Sequence, residues 1–244
     1  MTLLVTSDNW PKKGIIERKL EEMKIRDYKA IKALMPYYLV DYEVKTGKSI
    51  FKRGKTAINA SFLEFPKELG QIVPLFRPVL LKQKRKQSET DAIVFPLSGL
   101  YLNSFFDRVI GWVQDTDKKI AEVRNALKKI YAGLRLTLIL PAPPGFTRSE
   151  KKYSTVLSHL LGQKYAINLL FGLDLRDSLE EVKVRQKELF YSRVIVILCE
   201  RGPLIFEVSE KGVEFLTGLE RLTNEISEVR SFINSFFSSY YLTR

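Results

Sequence analysis

Cysteine and histidine are almost missing from this chain, which has one of each, Cys199 and His159. A single thiol excludes an internal disulfide, and the pair is too few for a Cys/His zinc site. Ser-His-Asp or Cys-His catalysis would have to use His159, and nothing near it resembles a nucleophile elbow. Cys199 follows the apolar run Val194 to Leu198, the setting of a buried, inert thiol rather than a nucleophile. No apolar run reaches the roughly 18 residues of a membrane helix. The N-terminus lacks a basic start, a long apolar stretch and a small-residue cleavage site, so a cytoplasmic location is expected.

What is present is positive charge. The 244 residues are 45% hydrophobic, ordinary for a folded chain with a core, and carry a net charge of +12. That balance favours a polyanionic partner, nucleic acid before an acidic membrane. Residues 1–100 hold 19 Lys and Arg against 11 Asp and Glu, so most of the excess lies in the first half.

The pattern predicts an α/β protein. A short strand at Leu3–Val5 precedes a helix over 12–24, with Ile16, Leu20 and Met23 on its apolar face. Residues 25–33 read as a strand, Leu34-Met35-Pro36 as a turn and 37–45 as the next strand. Partial helix is expected over 62–75, with short strands at 78–81 and 91–97. A long helix over 104–132 carries Val113, Thr116, Ile120, Val123, Leu127 and Ile130 at heptad spacing. A strand at 134–140, a Pro-rich turn at 141–145, a helix near 150–161 and apolar segments at 166–171 and 194–198 follow. A last helix over 212–241 has a second seam: Leu219, Leu222, Ile226, Val229, Ile233, Phe236 and Tyr240. The two seams suit either internal packing or a homodimer. The division expected is 1–103 and 104–244.

The chemistry-bearing stretch is Tyr37 to Gly47, which ends in Glu43-Val44-Lys45-Thr46-Gly47. Strand side chains alternate, so Glu43 and Lys45 share a face, and Asp41 shares it too. If the turn at 34–36 folds two strands together, Asp27 comes near Glu43, and Glu17 can reach the same pocket from the first helix. Converging carboxylates suit Mg²⁺ or Mn²⁺, which stabilises charge on a phosphate and acidifies a bound water. Lys45 would position that water. Lys48, Lys52, Arg53 and Lys55, and beyond them Lys82, Lys84, Arg85 and Lys86, are the phosphate-contact candidates.

Gly14-Ile15-Ile16-Glu17-Arg18 on a helix, Asp27 at a strand start and the Glu43-to-Gly47 strand end resemble the PD-(D/E)xK nuclease superfamily over residues 12–100, and within it archaeal Holliday junction resolvases. The resemblance implies a mixed-sheet restriction-endonuclease-like core with flanking helices. It implies Mg²⁺-dependent cleavage of DNA, selective for branched structures, with Asp27, Glu43, Glu17 and Asp41 as metal ligands, and with Glu17, Asp27, Glu43 and Lys45 as catalytic residues. A dimer would present one site to each strand, with no small-molecule cofactor. The match is incomplete: Arg26 stands where the motif has Pro, and the gap from Glu17 to Asp27 is short. Scarce Cys and His with abundant Lys fit an intracellular protein of a thermophile, including thermophilic archaea and their viruses. The competing reading is a DNA-binding or assembly protein on the same fold with a degenerate site.

Three features are weaker. Thr46-Gly47-Lys48-Ser49 imitates a P-loop, but Tyr42 stands where the first glycine must be. Glu181-Val182-Lys183 repeats the Glu-x-Lys pattern in what reads as a helical, solvated stretch. Phe232, Phe236, Phe237, Tyr240 and Tyr241 have the spacing of helix packing.

Overall fold

A computed structural model describes residues 2–6, 9–47, 51–77, 84–88, 92–136, 144–174, 176–209, 212–215 and 217–242. In chain order the elements are β1 (Thr2–Thr6), α1 (Lys13–Glu22), β2 (Tyr28–Thr46), β3 (Phe51–Asn59), β4 (Phe76–Arg77), β5 (Lys84–Ser88), β6 (Ile93–Val94), α2 (Leu102–Leu136), α3 (Pro144–Leu170), β7 (Leu179–Cys199), β8 (Gly202–Ser209), β9 (Gly212–Phe215), α4 (Thr217–Glu225) and α5 (Ser227–Leu242). The strands form one mixed sheet with the path β4-β3-β2-β7-β1-β5. β6 is paired to β2, and β8 and β9 continue from β7. The expected α/β class and mixed sheet are present.

The turn expected at Leu34–Pro36 is not one. β2 is a single 19-residue strand running straight through Pro36. A proline normally breaks a sheet because it cannot donate to the ladder. Here it falls where the ladder changes partner. Before it, Ala33 and Leu34 pair with β6; after it, Tyr37 begins the pairing with β3. The Phe95 N–H donates to the Leu34 carbonyl and the Ala60 N–H to the Pro36 carbonyl, both at 2.9 Å. The missing N–H therefore falls in the gap between neighbours.

The sheet and the core both cross the division expected at 103/104. β2 from the first half pairs antiparallel with β7 from the second, from Tyr28↔Cys199 to Thr46↔Leu179. One large core takes Met35, Tyr37, Val40 and Tyr42 from β2, Val109 and Val113 from α2, Ile167 from α3 and Val229 and Ile233 from α5. Burying these side chains drives the two halves together at about 25 cal/mol per Å² of apolar surface.

β2 changes its buried face midway. Ile31, Ala33, Met35 and Tyr37 are buried at odd positions, but Val40, Tyr42, Val44 and Thr46 at even ones. A long strand twists, and the odd residues of its first half and the even residues of its second half join one core with α2, α3 and α5. From Asp41 onward the odd residues are thus left on an open face. Among the described residues, the 179–190 stretch of β7 pairs with β2 alone. This end of the molecule is a three-stranded ribbon, β3-β2-β7, backed by helices on one side.

The first seam is as expected. Val113, Thr116, Ile120 and Leu127 are buried, and α2 packs on α3. The helix continues to Leu136, so the strand expected at 134–140 does not begin at its first residues; 137–143 lie outside the described residues. The expected last helix is instead β9, α4 and α5. Its seam residues Leu222, Ile226, Val229 and Ile233 are buried in the same core, where Phe232 and Phe236 meet Phe62 and Phe95. No helix among the described residues is long and apolar enough to cross a membrane.

Candidate functional site

The open face of the ribbon carries Asp41, Glu43 and Lys45 on β2, side by side as the alternation requires. Neighbouring strands complete it. Asp41 stands opposite Lys55, and Glu43 opposite Arg53, on β3. On the other side Glu43 stands opposite Lys183, Val44 opposite Val182 and Lys45 opposite Glu181. The two Glu-Val-Lys triplets of the chain therefore lie antiparallel against each other, each glutamate facing the other's lysine. The stretch around Glu181 is strand, not helix. Reciprocal opposite-charge pairs across a ladder stabilise it modestly, and this arrangement accounts for both copies of the motif.

A bulge adds a fourth cation from the neighbouring strands. The β2–β7 register shifts between Asp41 and Tyr42, where Asp41 faces Gln186 but Tyr42 faces Val184. Arg185 is the extra residue, and a bulge redirects a side chain. Arg185 Nε donates to Glu43 Oε2 at 2.9 Å, and its Nη2 donates to the same oxygen. Arg53 Nε lies 3.6 Å from that oxygen. Lys55 Nζ sits 3.2 Å from Asp41 Oδ1. The Arg185 hydrogen bonds hold the Glu43 carboxyl below the usual carboxylate range, and the charges of Arg185, Arg53 and Lys183 act in the same sense.

Exposure sorts the two signs of charge. The Glu43 side chain is 12% exposed and that of Asp41 37%, whereas Arg53 is 81%, Arg185 57%, Lys183 56% and Lys55 49% exposed. The Glu43 carboxylate lies beneath its cations, while Asp41 and Glu181, the latter 44% exposed, lie nearer the level of Lys55. Asp41, Tyr42, Arg53, Gly54, Lys55 and Arg185 line an open cavity of about 590 Å³.

The other sequence candidates do not join this site. Asp27 precedes the first residue of β2 and is exposed. It stands just before the strand that carries Glu43, sixteen residues away, about 50 Å at strand rise. The expected approach of Asp27 to Glu43 depended on the turn that Pro36 does not make. Glu17 lies on α1, whose Leu20 packs with Ile195 and Ile197, at the end of β2 opposite to Glu43. Lys52 points to the helix side, where its Nζ donates to the Gly172 carbonyl at 2.6 Å and helps to close the end of α3. Lys84, Arg85 and Lys86 lie on β5, paired with β1 at the far end of the sheet path. Lys48 and Lys82 lie outside the described residues.

Mg²⁺ or Mn²⁺ takes several converging oxygens. Of the four expected carboxylates only Asp41 and Glu43 are neighbours, and each is already bound to a cation. Among the described residues no group of three or more His, Cys, Asp and Glu is placed to hold a metal.

Arg185 and Lys183 escaped sequence reasoning. The signal for Lys183 was available: Glu-Val-Lys read against itself in reverse is complementary in charge. No family model matches this chain, and neither a curated protein nor a solved structure is detectably similar to it.

Proposed function

We propose that the chain binds nucleic acid through its phosphate backbone and does not cut it. The observation that carries this reading is the sorting of charge on the ribbon. Glu43, the residue a metal-dependent nuclease would need free, is covered by two guanidiniums, while Arg53, Lys55, Lys183 and Arg185 face outward. Guanidinium groups suit phosphate because their N–H donors match its oxygens in pairs. The net charge of +12 supports the same partner. Contacts of this kind position a backbone without reading bases.

Metal-dependent cleavage is the second reading. It keeps one observation, that Asp41, Glu43 and Lys45 share a strand face. The two readings separate in one experiment. Labelled duplex, single-stranded and four-way-junction DNA are incubated with the protein, with and without Mg²⁺ or Mn²⁺, over a salt series. The binding reading expects log affinity that falls linearly with log salt and intact DNA. Metal-dependent cutting that disappears in Glu43→Ala and Lys45→Ala would overturn it.

A further inference from the structure

A second body of positive charge lies off the ribbon, on the α2–α3 hairpin. Residues 118–160 contain nine Lys and Arg against two Glu, a net of +7 within a total of +12. Two contacts fix how the helices pair. Lys164 Nζ meets Asp117 Oδ1 at 2.5 Å, and Tyr131 Oη donates to Glu150 Oε1 at 2.8 Å. Both contacts belong to one antiparallel register, which also sets position 128 across from 153 and 129 across from 152. Arg124, Lys128, Lys129, Arg148, Lys151 and Lys152 are exposed, and none forms an ion pair with another described residue. On the ribbon, by contrast, Asp41, Glu43 and Glu181 each have a cation partner.

We propose that this distal part of the hairpin lies along the phosphate backbone of a nucleic-acid duplex, as a contact separate from the ribbon. The inference rests on the nucleic-acid reading above and assigns it a second element. Six exposed cations on one helix pair, without an ion-pair partner among the described residues, repel each other, and a polyanion relieves that repulsion. Arg124 and Lys128 are one helical turn apart, as side chains that follow a backbone along a helix must be. A membrane surface is the poorer fit. A helix that lies in lipid needs a broad apolar face opposite its basic one. Here Ile120 and Leu127 are buried in the seam against α3.

The test is fluorescence anisotropy of a labelled DNA duplex over a salt series, with the wild type and the triple variant Lys128→Glu, Lys129→Glu, Lys152→Glu. The neutral set Lys128→Gln, Lys129→Gln, Lys152→Gln removes the charges without adding repulsion, and thermal melting checks that all three proteins are folded. The slope of log affinity against log salt should shrink by about 0.9 for each phosphate left unneutralised, or about 2.7 for three. Wild-type slope and affinity in both variants would overturn the hairpin assignment and leave the nucleic-acid reading intact. No binding by the wild type would overturn both. Binding to phosphatidylserine vesicles but not to duplex would overturn both in favour of a membrane surface.

Discussion

Replacing Gly54 with alanine should destabilise the protein, against the usual sign for such a change in a strand. Glycine inside a strand is less favourable than alanine by about 0.5–1 kcal/mol, so Gly54→Ala would ordinarily stabilise. Tyr42 stands directly opposite Gly54 and lays its ring where the new methyl would go. A Cβ there would lie 2.3 Å from Tyr42 Oη, 2.5 Å from Cζ and 2.9 Å from Cε2. The ring has no room to yield. Its hydroxyl donates to the Leu170 carbonyl at 3.1 Å, and its edge meets Phe171 with the centroids 5.4 Å apart. Overpacking costs about 1–3 kcal/mol, breaking the hydrogen bond about 1 kcal/mol and disturbing the aromatic pair about 0.5–1.5 kcal/mol. Less the gain in strand preference, Gly54→Ala should destabilise by about 1.5–5 kcal/mol. Urea unfolding of four proteins measures it: wild type, Gly54→Ala, Tyr42→Ala and the double variant. Once Tyr42 is cut back, adding Gly54→Ala should be neutral or stabilising. Stabilisation by Gly54→Ala alone would refute the packing described for this end of the ribbon.

Other consequences concern the hairpin base and acid stability. Asp117 holds Lys164 of α3 and accepts from Ser178 Oγ at 2.6 Å, just before β7. Asp117→Ala leaves Lys164 largely buried without a partner and should cost about 2–3 kcal/mol, toward the low end for a broken buried pair because Asp117 is partly exposed; thermal melting measures it. Lys52→Met should destabilise by up to about 1 kcal/mol through its bond to Gly172, while DNA affinity changes little, since that side chain faces the helices. The Glu228 carboxyl is held down to about 2, first by the hydrogen bond from Lys67, then by its own backbone N–H and by Ser227. A depressed carboxylate stabilises the fold above its ordinary value of 4.5, and this contribution is lost as pH falls toward 2. Melting temperature against pH should therefore fall through that window, and less steeply in Lys67→Met.

The parts of this fold that local pattern encodes were readable, and the parts set by pairing were not. Alternation placed Asp41, Glu43 and Lys45 on one face, and heptad spacing found the α2 seam with its buried Val113, Ile120 and Leu127. The straight passage of β2 through Pro36 was hidden, because a proline's tolerance depends on which neighbour its missing N–H would have met. β7 was hidden for two reasons. Glu180 to Glu188 is rich in Glu, Lys, Gln and Arg, which favour helix, and tertiary pairing overrode that preference. Its alternation is also broken by register shifts beside Asp41 and Lys45. The expected approach of Asp27 to Glu43 fell with the turn, since it required a hairpin. The basic residues of the first half, read as one excess, are divided between β3 and β5 at different parts of the sheet.

The most direct test of the binding account is Glu43→Gln, with affinity and cleavage measured on the same labelled DNA at fixed salt with Mg²⁺. The substitution keeps the shape and removes the charge beneath Arg53 and Arg185. If these cations face a phosphate backbone, affinity should rise by about 1.4- to fivefold, the scale of a surface charge pair worth about 0.2–1 kcal/mol, and neither protein should cut. Cleavage by the wild type that Glu43→Gln abolishes, with its binding retained, would contradict the account and make Glu43 a catalytic carboxylate.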